Sequence, residues 1–77
     1  MSSGYVLVNV EPGFEKSVCD AAGSLDCVSD TNLLFGDYDL IIKVEGKVMG
    51  DIARSVVEQI RSIPSVSNTK TLACAEM

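Results

Sequence analysis

The sequence predicts one small α+β domain of order β-α-β-β-α-β, and three observations predict it. Residues 5–11 (YVLVNVE) alternate around Val6, Val8 and Val10, the period of a strand. Met49, Ile52, Ala53, Val56, Val57 and Ile60 recur at helical spacing, with Asp51, Arg54, Ser55, Glu58 and Arg61 off the stripe. The two halves also echo each other: Leu25-Asp26-Cys27-Val28 matches Ile63-Pro64-Ser65-Val66, each a helix end, a short turn and a strand-opening valine. A doubled, split β-α-β unit of this kind is the ferredoxin-like arrangement, a four-stranded antiparallel sheet with two helices on one face. Its crossovers are expected to be right-handed.

Each element follows in order. Pro12-Gly13 ends the first strand, and Phe14, Val18, Ala21, Ala22 and Leu25 carry the first helix, with Glu15 where the helix dipole favours an acid. Gly23 weakens its last turn. Residues 28–35 read as a second strand, whose polar interior (Ser29, Asp30, Thr31, Asn32) suits a sheet edge. Gly36-Asp37 supplies turn chemistry, and a third strand opens at Tyr38-Asp39 and runs through the apolar LIIKV of residues 40–44. The short connection implies an antiparallel hairpin. Gly46 breaks that strand, the striped helix follows, Pro64 stops it, and residues 66–75 form a last strand carrying Thr69 and Thr71.

Seventy-seven residues make one domain, 1–77. A chain of this size buries only about 60% of the surface its unfolded form exposes, so association is an expected source of extra stability. The net charge of −5 and the scattered Lys16, Lys43, Lys47, Arg54, Arg61 and Lys70 argue against direct nucleic-acid binding. No apolar run reaches the roughly 18 residues of a membrane span. Met1-Ser2-Ser3-Gly4 lacks the marks of a signal peptide, so a cytoplasmic location is the expectation. Cys19, Cys27 and Cys74 have neither metal-ligand nor C-x-x-C spacing and read as reduced apolar fillers. Histidine is absent, which removes the commonest general base and metal ligand together. No catalytic residue, no metal site and no cofactor is predicted. The paired carboxylates Asp37 and Asp39 fit turn geometry better than acid–base chemistry.

If Val6, Val8, Val10, Leu40, Ile42 and Val44 face the helices, alternation sends Tyr5, Leu7, Leu33, Phe35 and Ile41 to the other side. An open apolar sheet face marks an association surface, and self-association through the sheet is the economical way to cover it.

Gly36-Asp37-Tyr38-Asp39 has the form Gly-x-Tyr-Asp and leads into an apolar strand. In this element order it resembles the effector domain of the Lrp/AsnC (leucine-responsive regulator/AsnC) family. This domain is also called the RAM domain, for regulation of amino-acid metabolism. The opening YVLVNVEPG, the strand DLIIKVEG, the segment IRSIPSVSNTKT and the closing Leu72-Ala73 agree, so the likeness runs from about Tyr5 to Ala75. Two departures stand out. Asp26-Cys27-Val28 and Pro64-Ser65-Val66 replace the family's Pro-Gly-Val or Gly-Val, which predicts differently shaped turns. The helix-turn-helix domain of the family's regulators has no counterpart here, so the expectation is a stand-alone effector module, without DNA binding.

The resemblance implies dimers formed through the sheets, in dimeric α/β-barrel fashion, joined into rings, with an amino acid or related metabolite bound at the contacts between them. Full-length regulators of the family are then candidate partners. Mapped by this resemblance, Gly36 allows close approach of a ligand, Asp37 and Asp39 receive an ammonium group, Tyr38 forms a wall, and Thr69 and Thr71 bond a carboxylate. Two alternatives stand beside it: a small dimeric α/β-barrel enzyme, which the missing histidine disfavours, and a structural oligomerisation adaptor without a ligand.

Overall fold

The computed structural model describes residues 2–75, apart from the side chain of Val57. The elements are β1 (Ser2–Val10), α1 (Glu15–Gly23), β2 (Val28–Leu33), β3 (Leu40–Gly46), α2 (Met49–Ser55, continued by a π-turn over Val56–Ile60) and β4 (Val66–Ala73). The strands form one antiparallel sheet in the order β2-β3-β1-β4. This is the ferredoxin-like arrangement that the sequence predicts.

The core lies where the alternation puts it. Val6, Val8 and Val10 of β1 and Leu40, Ile42 and Val44 of β3 are buried against Val18 and Ala22 of α1 and Ile52, Val56 and Ile60 of the second helix. Each such Val or Ile adds roughly 1.5–3 kcal/mol when removed from water. Cys19 packs against this cluster as a filler, whereas Cys27 and Cys74 are half-buried outside it.

The second helix departs from a plain α-helix. Ile52, Val56 and Ile60 recur every fourth residue, and all three are buried. At 3.6 residues per turn, that spacing drifts around the axis by about 40° at each step. The π-turn, closed by the Arg61 N–H on the Val56 carbonyl at 3.0 Å, winds more loosely and returns Ile60 to the sheet. Val57, the remaining apolar member of the predicted stripe, lies outside the described side chains.

Two β-bulges decide which residues share a face. In β2, Val28 pairs with Val44 and Asp30 with Lys43, leaving Ser29 as an extra residue. In β4, Val66 pairs with Val10 and Asn68 with Asn9, leaving Ser67 extra. One added residue inverts the alternation beyond it. Leu33 therefore sits opposite Leu40, on the helix side, rather than on the open face where simple alternation sends it. Phe35 lies past the end of β2 in the loop and is fully exposed, so it is not on the open face either. Tyr5, Leu7 and Ile41 do lie there, with Leu7 opposite Ile41 and Tyr5 opposite Leu72.

Of the two turns that lack the family's glycine, only one keeps a left-handed residue: Ser65, at φ 76°, whose carbonyl accepts the Glu11 N–H at 2.9 Å. A left-handed non-glycine residue carries about 1–2 kcal/mol of strain, and glycine loses roughly 0.5–1 kcal/mol more chain entropy on folding. Ser65→Gly is thus expected to raise the unfolding free energy by about 0.5–1 kcal/mol in a denaturant titration. A fall would show that the serine side chain itself holds the turn.

Candidate functional site

The site is built where the β2–β3 loop folds back against β1. Residues 34–39 form a six-residue loop, closed by the Leu34 N–H on the Asp39 carbonyl at 2.8 Å. The loop is longer than the predicted hairpin turn, because β2 ends at Leu33 and β3 opens only at Leu40. Gly36 takes φ 130°, a backbone that side-chain-bearing residues rarely adopt, and open space surrounds the place a Cβ would fill.

Asp39 has a definite structural task. The β1–β3 ladder ends at Val8 and Leu40. Beyond it, the Asp39 N–H donates to the Val8 carbonyl at 2.9 Å, and the Val10 N–H donates to Asp39 Oδ2 at 2.8 Å. The carboxylate thus adds one rung to the ladder, satisfying an amide that β3 no longer reaches. Its donor is a backbone amide of the same chain, whereas the sequence leads one to expect a ligand ammonium or backbone donors across a subunit contact; the difference arises because β1 runs on past the end of β3. Oδ1 makes no hydrogen bond among the described residues. A carboxylate has about four lone-pair directions, so this rung leaves room for a second donor.

A polar relay crosses the end of the sheet beside this rung. Asn9 Nδ2 donates to the Asp37 carbonyl at 2.8 Å, and Asn68 Nδ2 donates to Asn9 Oδ1 at 3.4 Å. The loop is therefore tied through β1 to the start of β4. In the sequence, Asn9 and Asn68 each look like an ordinary polar strand residue, and no local signal links residues 59 positions apart. Asp37 is exposed, and its carboxylate has no hydrogen bond or ion pair among the described residues, while Tyr38 is half-buried.

Thr69 and Thr71 are placed differently from the hairpin. They pair with Val8 and Val6, so they lie on the helix side of the edge strand β4. β1 intervenes between them and the loop, a separation of about two strand spacings, roughly 10 Å. One chain therefore brings Gly36, Asp37, Tyr38 and Asp39 together but does not join the two threonines to them. Among the described residues no three of Cys, Asp and Glu converge as metal ligands would.

This is a small ferredoxin-like domain with a partly apolar open sheet face and an acidic, glycine-opened loop at one end. The chain belongs to the Lrp/AsnC ligand binding domain family, whose model matches residues 3–76. It is 24% identical over 74 residues to an uncharacterized HTH-type transcriptional regulator of Pyrococcus horikoshii, PH1916, covering 92% of this chain and 49% of that protein. The chain thus spans about half the length of the curated relatives it matches. Among solved structures, TTHA0845 from Thermus thermophilus superposes with a TM-score of 0.93 at 25% identity, covering 100% of this chain and 96% of that one. The transcriptional regulator NMB0573 of Neisseria meningitidis, solved as an L-Met complex, has a TM-score of 0.84 at 12% identity. That match covers 97% of this chain and 50% of the regulator. No helix is long and apolar enough to cross a membrane, among the described residues.

Proposed function

We propose that the chain is a non-catalytic regulatory module that associates with itself and binds an amino acid or related small metabolite where the loop of one copy meets β4 of another. Association joins open sheet faces through Tyr5, Leu7 and Ile41 into dimers, and the dimers into rings. Full-length regulators of the same family are the candidate protein partners. The observation that carries this reading is the loop itself. Two carboxylates flank Tyr38 beside Gly36, Asp39 is fixed by Val10, and Asp37 is held by its backbone with its charge free. Such a group is suited to an ammonium ion, since hydrogen bonds to charged groups are worth about 1.5–3 kcal/mol. The Neisseria regulator, alike in fold, is a complex with L-Met, which is consistent with an amino-acid ligand.

A thermal-shift screen against the twenty amino acids tests it. A ligand that binds only the native state stabilises it by about 2.7 kcal/mol at 100 times its Kd, so at least one amino acid is expected to raise Tm by several degrees. No shift with any of them, in a protein that is oligomeric by light scattering, would favour an oligomerisation adaptor without a ligand.

A further inference from the structure

The sheet carries two shallow polar notches, one under each edge strand, and they are built alike. One, of about 200 Å³, is lined by Gly23 and residues 28–31. The other, of about 160 Å³, is lined by Arg61 and residues 66–69. Each lining residue of the first is matched, at a constant sequence offset, by one of the second, so the internal repeat has made the same hollow twice. Both include the bulged serine, Ser29 or Ser67, in their lining.

The two differ in what their side chains are doing. In the β2 notch, Ser29 Oγ donates to the Lys43 carbonyl at 3.4 Å, and Cys19 Sγ donates to Thr31 Oγ1 at 3.5 Å. Asp30 accepts from the Thr31 N–H and from Asn32 Nδ2. That hollow is satisfied from within. In the β4 notch, the Ser67 and Thr69 hydroxyls and the Arg61 guanidinium have no hydrogen-bond or ion-pair partner among the described residues. Arg61 stands where the other notch has Gly23, and neutral Asn68 where it has Asp30. These exchanges put a permanently charged guanidinium and two hydroxyls in the lining of one notch, beside a strand whose outer edge has no partner strand.

We propose that the β4 notch is a carboxylate subsite, in which Arg61, Ser67 and Thr69 hold the acid end of the ligand. This rests on the amino-acid reading above and deepens it by giving the ligand a direction. The planar guanidinium fork matches a carboxylate bidentately. The acidic loop and the notch lie on opposite sides of β1, about 10 Å apart, too far for the adjacent ammonium and carboxylate of one α-amino acid. An amino acid held in the notch thus cannot also reach this copy's own loop, and on the function proposed above it is the loop of another copy that receives its ammonium group.

Calorimetry on the full chain tests this with three sets of probes: the free amino acids, the matching amines that lack the carboxylate, and the matching N-acetyl amino acids that lack the ammonium. Arg61→Gln is expected to weaken the bound amino acid at least tenfold and leave its amine unchanged, with Arg61→Lys recovering part of the loss. Equal affinity of Arg61→Gln and wild type for the amino acid overturns the subsite and leaves the amino-acid reading standing. Binding of N-acetyl amino acids alone, lost in Arg61→Gln, keeps the subsite and removes the amino-acid reading. Binding of none of the three by wild type overturns both. Because Arg61 is exposed, the variant is expected to fold, and an unchanged thermal midpoint confirms it.

Discussion

Leu7→Asp is expected to abolish self-association and yield monomers or unfolded chain at micromolar concentration, as read by light scattering and circular dichroism. Leu7 lies on the open face of β1, one of the two central strands, opposite Ile41 on one side and Lys70 on the other. Tyr5 and Leu72 pair in the next row on that face. Covering apolar surface is worth about 25 cal/mol per Å² before the costs of association. A carboxylate on that face reverses that gain, since an unpaired charge removed from water costs several kcal/mol. Lys70→Glu, at the rim of the same row, is expected to change the salt dependence of association more than its strength. A wild-type protein that stays monomeric and well folded at this concentration would rule out the sheet face as the contact.

The second large effect concerns Asp39, and two substitutions separate its two roles. Asp39→Ala removes the acceptor of the Val10 N–H and is expected to lower stability by about 1.5–3 kcal/mol, the scale of a hydrogen bond to a charged group. Asp39→Asn keeps an acceptor oxygen in the same place, so most of that stability should remain. Amino-acid binding, in contrast, should weaken by about 1.5–3 kcal/mol on Asp39→Asn if the carboxylate also receives the ammonium group. Unchanged affinity in calorimetry would confine Asp39 to its rung in the ladder. Loss of the oligomer instead would favour the adaptor without a ligand.

Much of this architecture is legible in the residues. Val6, Val8, Val10, Leu40, Ile42 and Val44 are read correctly as the helix-facing set, because a half-buried sheet imposes a strict period of two. Leu33 is misread for the same reason: period two carries a residue to the wrong face once Ser29 is inserted, and a serine in a polar strand does not announce a bulge. The π-turn is hidden because a four-residue apolar spacing looks helical whether the helix is wound at 3.6 residues or more loosely. Around the loop, Gly36 and the two aspartates are visible as turn chemistry. The partner of Asp39 is not, since its donor is a backbone amide 29 residues away, supplied only when β1 outruns β3. Leu72 of the open face is equally hard to see, because its neighbours Lys70, Thr71 and Ala73 give no apolar alternation.

The placement of the chain's ends gives the domain a lever arm. Gly4 pairs with Ala73, and the Cys74 N–H donates to the Ser3 carbonyl at 3.0 Å, so the first and last strands lie side by side at Ser3–Gly4 and Ala73–Cys74. The acidic loop packs on Val8 and Val10, at the opposite end of β1. Four to seven strand residues at about 3.4 Å each separate the two, roughly 14–24 Å. A segment joined at either terminus thus starts a full strand's length from the loop, with the tightly packed β1–β3 pair between them. Close-packed interiors transmit strain but deform little. Were the proposed ligand to bind at the loop, its occupancy would best be communicated by altering how whole domains are arranged around their contacts, with each domain turning as a rigid body and swinging any attached segment through a larger arc than the loop itself moves.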